Sequence, residues 1–112
     1  MHELSITRNI VAIVGEAAAG RPVRRITLEI GKLSGVMADA VRFCFDVVAE
    51  GTALQGAILE IREPEGRARC RECAAEFAIA TLWAACRCGS RELDRLQGEE
   101  LLVKTMELEE AA

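Results

Sequence analysis

Apolar positions along the chain fall into five patterned stretches separated by turn residues. Between residues 4 and 18, Ile6, Ile10, Ile13, Val14 and Ala17 recur at helical spacing, and Gly20 followed by Arg21-Pro22 supplies a stop. From Val23 to Ile30 the period changes to two. Ile26, Leu28 and Ile30 fall on one face and Arg25, Thr27 and Glu29 on the other, which predicts a half-buried strand. After a turn region from Gly31 to Gly35, a second helix is predicted with Met37, Val41, Cys44, Phe45 and Val48 on one face, closed by Gly51. Ala57, Leu59 and Ile61 alternate with Ile58, Glu60 and Arg62 in a second strand that stops near Pro64 and Gly66. After Gly98 a third strand sets Leu102, Met106 and Leu108 against Val103, Thr105 and Glu107.

Residues 67–97 interrupt this plan. They hold four of the five cysteines and six arginines, and their few large apolar side chains are chiefly Phe77, Ile79, Leu82, Trp83 and Leu93. A segment so poor in apolar side chains needs something other than a hydrophobic core to fold. The predicted class is therefore α+β: a small three-stranded sheet with two helices on one face, plus an inserted zinc-ribbon-like domain. Residues 1–66 and 98–112 form the discontinuous α/β domain in this reading, and residues 67–97 the zinc-binding domain. Strand order is not legible in the pattern.

With 112 residues, 51% of them hydrophobic and 29% charged, the composition is that of an ordinary globular domain. No apolar run approaches the roughly 20 residues that cross a bilayer, and the N-terminus lacks a secretory plan, so the expected location is the cytoplasm and no membrane partner is expected. The net charge is −4 and the twelve arginines are scattered from Arg8 to Arg95, which argues against a nucleic-acid partner. Phe43, Phe45, Phe77 and Trp83 are the only aromatics, too few for a base-stacking surface.

In a reducing compartment five cysteines read as metal ligands or buried thiols rather than as disulfides. Cys70-Arg71-Glu72-Cys73, twelve residues, then Cys86-Arg87-Cys88-Gly89 approximates the ligand spacing of a zinc ribbon. Two turns of this kind, each aiming two thiolates at one cation, complete a tetrahedron, and Gly89 suits the backbone such a turn requires. Such a site is closed and structural, so catalysis at that metal is not expected. A rubredoxin-like iron centre is the chemical competitor. The second pair has one intervening residue where a ribbon turn ordinarily has two. Cys44, on the apolar face of the second helix, reads as a small buried hydrophobe.

The single histidine is His2, followed by Glu3. The α-amine of Met1, the amide nitrogen of His2 and its imidazole Nδ1 can close adjacent chelate rings about one ion, a planar nitrogen set suited to Ni(II) or Cu(II). Glu3 adds a carboxylate oxygen or its own amide nitrogen. Binding there requires deprotonation of the amine and a neutral imidazole, so affinity falls in mild acid.

Met1-His2-Glu3-Leu4-Ser5, Leu28-Glu29-Ile30-Gly31-Lys32-Leu33-Ser34, Phe43-Cys44-Phe45-Asp46 and Cys88-Gly89-Ser90 together resemble the HypA/HybF hydrogenase nickel-incorporation proteins, and the similarity runs essentially end to end. The resemblance implies a nickel metallochaperone, not an enzyme, that assists maturation of [NiFe] hydrogenase. It implies a HypB-type GTPase and the hydrogenase large-subunit precursor as partners, and leaves a homodimer and a role in urease open. By that likeness Met1, His2 and Glu3 bind transient Ni(II), while Cys70, Cys73, Cys86 and Cys88 bind structural Zn(II). The chain departs from the family in two places. The family's second pair usually reads Cys-Pro-x-Cys, and Met37, with Asp39 nearby, stands where an acidic residue is common. A zinc-ribbon interaction module in which His2 is incidental is the second reading. A rubredoxin-like electron carrier is the third, disfavoured because the segment lacks a compact aromatic core and an α/β domain would be surplus.

Overall fold

The computed structural model describes residues 2–110. Two helices, α1 (Glu3–Ala17) and α2 (Ala38–Ala49), accompany six strands: β1 (Val23–Ile30), β2 (Ile58–Arg62), β3 (Arg67–Cys70), β4 (Glu76–Ala78), β5 (Leu93–Gln97) and β6 (Leu101–Leu108). The strands form two three-stranded sheets, ordered β2-β1-β6 and β4-β3-β5.

The first sheet is mixed. β1 and β2 are parallel, an arrangement that needs a long crossover, and α2 supplies it. β6 returns antiparallel on the other side of β1. Cross-strand registers align Leu59, Ile26 and Met106 in one row and Ile61, Leu28 and Val103 in the next. These rows make up the core face, which packs with Val11 and Val14 of α1 and Val41 and Phe45 of α2 into one apolar cluster. On the opposite face Arg25, central on β1, reaches Glu60 of β2 at 3.2 Å and Glu107 of β6 at 3.0 Å. The alternation of apolar and charged residues in β1 thus becomes a helix-covered face and an ion-paired one.

Several sequence expectations change. In α1 the predicted apolar positions Ile13 and Ala17 are exposed, and Thr7 and Val11 are buried beside Val14, so the buried face is rotated from the one the spacing indicates. The register places Thr27 opposite Thr105 but Leu28 opposite Val103, so Lys104 is an extra residue in β6. Such a bulge inverts the inward and outward alternation of the strand beyond it. Val103 therefore joins Met106 and Leu108 against the core, while Leu102, grouped with them by simple alternation, sits opposite Glu29 and is 44% exposed. Met37 also leaves the predicted apolar face of α2. It occupies the N-cap, in extended conformation, and is 66% exposed. Cys44 is half-buried.

Beyond β2 the chain passes into the second sheet, whose interior is small: Ala68, Cys70, Ile79 and Cys86 are its buried side chains. Gly31, Gly66 and Gly98 meet where the two sheets join. A Cβ on Gly31 would collide with the carbonyl of Gly98, and one on Gly66 would collide with the carbonyl of Ile79 and the side chain of Leu33. The missing side chains let three backbone segments approach closely enough to be cross-linked. Leu33 N–H donates to Gly98 O at 2.7 Å, Gly31 N–H to Glu100 O at 2.8 Å, Lys32 N–H to Pro64 O at 3.0 Å and Ile79 N–H to Gly66 O at 2.9 Å.

Candidate metal centre

Two turns bring the four clustered thiols together. In the first, Cys70 ends β3, Ala74 N–H returns to Cys70 O at 2.9 Å, and Cys70 N–H donates to Ala75 O at 2.9 Å. Ala74 completes this turn with φ of 63°, a left-handed conformation that costs a residue with a Cβ about 1–2 kcal/mol. In the second, Gly89 N–H donates to Cys86 O and Cys86 N–H to Ser90 O, both at 2.9 Å. Gly89 there adopts φ of 91°, which only glycine takes up without strain. The shortened Cys86-Arg87-Cys88 turn still presents both sulfurs to the same point.

Each turn contributes one buried cysteine, Cys70 or Cys86, and one exposed cysteine, Cys73 or Cys88. All four sulfurs lie within 4.8 Å of one another. Across the two turns Cys70 Sγ is 3.7 Å from Cys88 Sγ and Cys73 Sγ is 3.5 Å from Cys86 Sγ. A tetrahedron with metal–sulfur bonds of about 2.3 Å has edges of about 3.8 Å, so the sulfurs fit a single tetrahedral cation. Electrostatics point the same way. The N–H of Cys73, ahead of that of Glu72, pulls the Cys70 thiol down to about 6 against the effect of burial. At Cys88 the Ser90 N–H lowers the thiol, but the Cys86 and Cys70 sulfurs and burial outweigh it and push Cys88 up to about 12. Four sulfurs this close cannot all ionise on their own, and a bound dication removes that conflict. Of the described residues, this is the one group of three or more Cys, His, Asp or Glu side chains gathered closely enough to hold a metal through side chains alone.

Of the predicted nickel residues, His2 and Glu3 lie at the start of α1 and not in this cluster. Met1 is outside the described residues. His2 is the exposed N-cap of α1, in extended conformation, with Ile6 N–H donating to its carbonyl at 3.1 Å. Glu3, the first helical residue, turns its carboxylate towards α2, where Oε2 accepts the Met37 N–H at 3.1 Å. That hydrogen bond, followed by one from its own N–H, holds the Glu3 carboxyl below the ordinary range. No pattern along the chain signals the Met37 contact, because it joins main chain to side chain over 34 positions. The segment from Gly31 to Met37 is thus tied to the junction of the sheets at one end and to Glu3 at the other.

A small α+β unit joined through a glycine junction to a second sheet that presents a tetrathiolate pocket defines a two-sheet metal-binding protein. Its fold matches the solution structure of the Ni metallochaperone HypA from Helicobacter pylori with a TM-score of 0.68 at 24% identity, covering 96% of this chain and 97% of that one. The family model described as "Hydrogenase/urease nickel incorporation, metallochaperone, hypA" matches residues 1–108, and the chain belongs to that family. It is 59% identical over 110 residues to a hydrogenase maturation factor HypA of Nostoc sp., covering 98% of this chain and 97% of the relative. To the factor of the same name from Geotalea uraniireducens it is 47% identical over 110 residues, covering 97% of this chain and all of the relative. No helix among the described residues is long and apolar enough to cross a membrane.

Proposed function

We propose that the protein carries Ni(II) on Met1, His2 and Glu3 and assists its insertion into [NiFe] hydrogenase, while Cys70, Cys73, Cys86 and Cys88 hold a structural Zn(II). The observation that supports this reading is that His2 and Glu3 stand at the start of α1, outside the four-sulfur cluster. A closed sulfur tetrahedron has no vacant position from which to pass on an ion, whereas an exposed terminal chelate can release one through shared-ligand intermediates. Delivery by exchange needs no catalytic residue, so the protein acts as a carrier and not as an enzyme. Residues 1–66 and 98–112 form the nickel-binding unit in this proposal and residues 67–97 the zinc-binding unit. A HypB-type GTPase and the hydrogenase large-subunit precursor are the proposed partners, in the cytoplasm.

Within the chelate, the Met37 N–H on Glu3 Oε2 supports a role for Glu3 in fixing the start of α1 next to His2. The other carboxylate oxygen and the Glu3 amide are the atoms it offers to the ion. A nickel titration of the zinc-loaded protein, run beside His2→Ala and a variant with one residue added before Met1, tests the reading. Both changes are expected to abolish stoichiometric nickel binding while zinc content stays at about one per chain. Unchanged nickel affinity in both variants contradicts it and favours the zinc-ribbon interaction module.

A further inference from the structure

α2 buries one face and leaves a second apolar strip uncovered. Val41, Phe45 and Ala49 enter the core, yet Phe43 is 82% exposed and Val47 68% exposed. With the N-cap Met37 and the half-buried Ala40 and Cys44, they recur at intervals of three and four, so they line one flank of the helix from its N-terminus to its last turn. Phe43 and Val47 stand one turn apart, so their exposed apolar surfaces adjoin each other instead of lying singly.

The margin of this strip is charged in one sense. On a helix, Asp39, Asp46 and Glu50 fall side by side between the apolar strip and Arg42. Arg42 is within 3.9 Å of Asp39, and among the described residues Asp46 and Glu50 form no ion pair. An acidic border disfavours nucleic acid and anionic lipid, both of which attract cations. It also disfavours antiparallel two-fold pairing of the strip with a second copy of the chain, which would set the acidic edge bearing Asp46 and Glu50 against its own equivalent.

We infer that the Met37–Val47 flank of α2 is a docking surface for a partner protein's amphipathic segment, with apolar side chains on one face and lysine or arginine beside them. Its apolar side chains cover Phe43 and Val47, and its cations meet Asp46 and Glu50. The strip begins at Met37, whose N–H binds Glu3, so a segment seated there lies beside the start of α1. The docking itself does not depend on where nickel binds.

The test uses the isotope-labelled, zinc-loaded full chain and two synthetic helical peptides. Both carry leucine at i, i+3, i+4 and i+7. One has lysine at the intervening positions and the other has glutamate. The lysine peptide is expected to shift the amide resonances of residues 39–50 saturably, with and without nickel, and to bind at least about tenfold more tightly than the glutamate peptide. Phe43→Ser is expected to weaken binding about tenfold without lowering the unfolding midpoint, because the ring is exposed. The Asp46→Lys, Glu50→Lys double variant is expected to reverse the peptide preference. Absence of shifts on α2, equal binding of the two peptides, an unaffected Phe43→Ser, or self-association through this strip in sedimentation would each overturn the inference.

Discussion

At the level of single residues, the two cysteine turns differ in how well their sequences suit them. Gly89 occupies its left-handed position freely, whereas Ala74 holds φ of 63° with a Cβ. Replacing Ala74 with glycine relieves that strain at some cost in unfolded-chain entropy. The zinc-loaded Ala74→Gly variant is expected to be more stable by up to about 1 kcal/mol, read as a higher denaturant midpoint for the second sheet. A second expectation concerns Glu3. Its carboxyl is lowered by the Met37 N–H, so the contact contributes to stability above the unfolded-state value and is lost as pH falls through the lower folded-state value. The Met37 amide shift should therefore titrate with a midpoint below the value of about 4.3 usual for glutamate. In Glu3→Gln the acid titration of that resonance should disappear.

At the level of elements, legibility followed periodicity. β1 emerged with the limits Val23–Ile30, because the six residues Arg25–Ile30 alternate with period two and leave little freedom of register, while a register shift between Val23 and Arg25 turns Val23 inward out of that phase. The helices followed from spacing and from their flanking glycines as elements, but the buried face of α1 is turned from the predicted one: Thr7, Val11, Val14 and Ala18 are buried, while Ile13 and Ala17 are exposed. β6 was legible as a strand but not in its facing, because the bulge at Lys104 is a property of pairing with β1 and leaves no mark in the composition. Val103→Ala is accordingly expected to destabilise the protein by about 1 kcal/mol in urea unfolding, and Leu102→Ala by less than about 0.5 kcal/mol. Equal effects would place the bulge elsewhere. The short strands β3 and β4 have four and three residues, too few for a periodic signal, and in the five-residue β5 the apolar Leu93 and Leu96 stand three apart and do not alternate, so only the cysteine spacing announced their region. The Gly31, Gly66 and Gly98 junction was equally silent. Each glycine could be read as a turn, and only the fold shows that the three meet.

At the level of the whole molecule, the principal extents are 58 × 26 × 17 Å and the radius of gyration is 17.4 Å, against about 13 Å for a compact chain of this length. The protein is elongated, with a helix-covered sheet at one end and the sulfur cluster at the other. Apolar burial is concentrated in the first sheet and its helices, while metal binding worth roughly 10–16 kcal/mol in small zinc peptides is available to the second. A strong zinc chelator is therefore expected to leave the helical circular dichroism nearly intact, while amide protection is lost across residues 67–97. Simultaneous loss of both sheets would show that the first depends on the metal. Family membership and the fold rest on the whole chain, but delivery itself depends on where the cargo sits. Nickel X-ray absorption of the zinc-loaded protein carrying one nickel per chain decides that. Nitrogen and oxygen neighbours with the scattering pattern of one imidazole, lost in His2→Ala, are the expected result. A first shell of sulfur, unchanged in that variant, would contradict it.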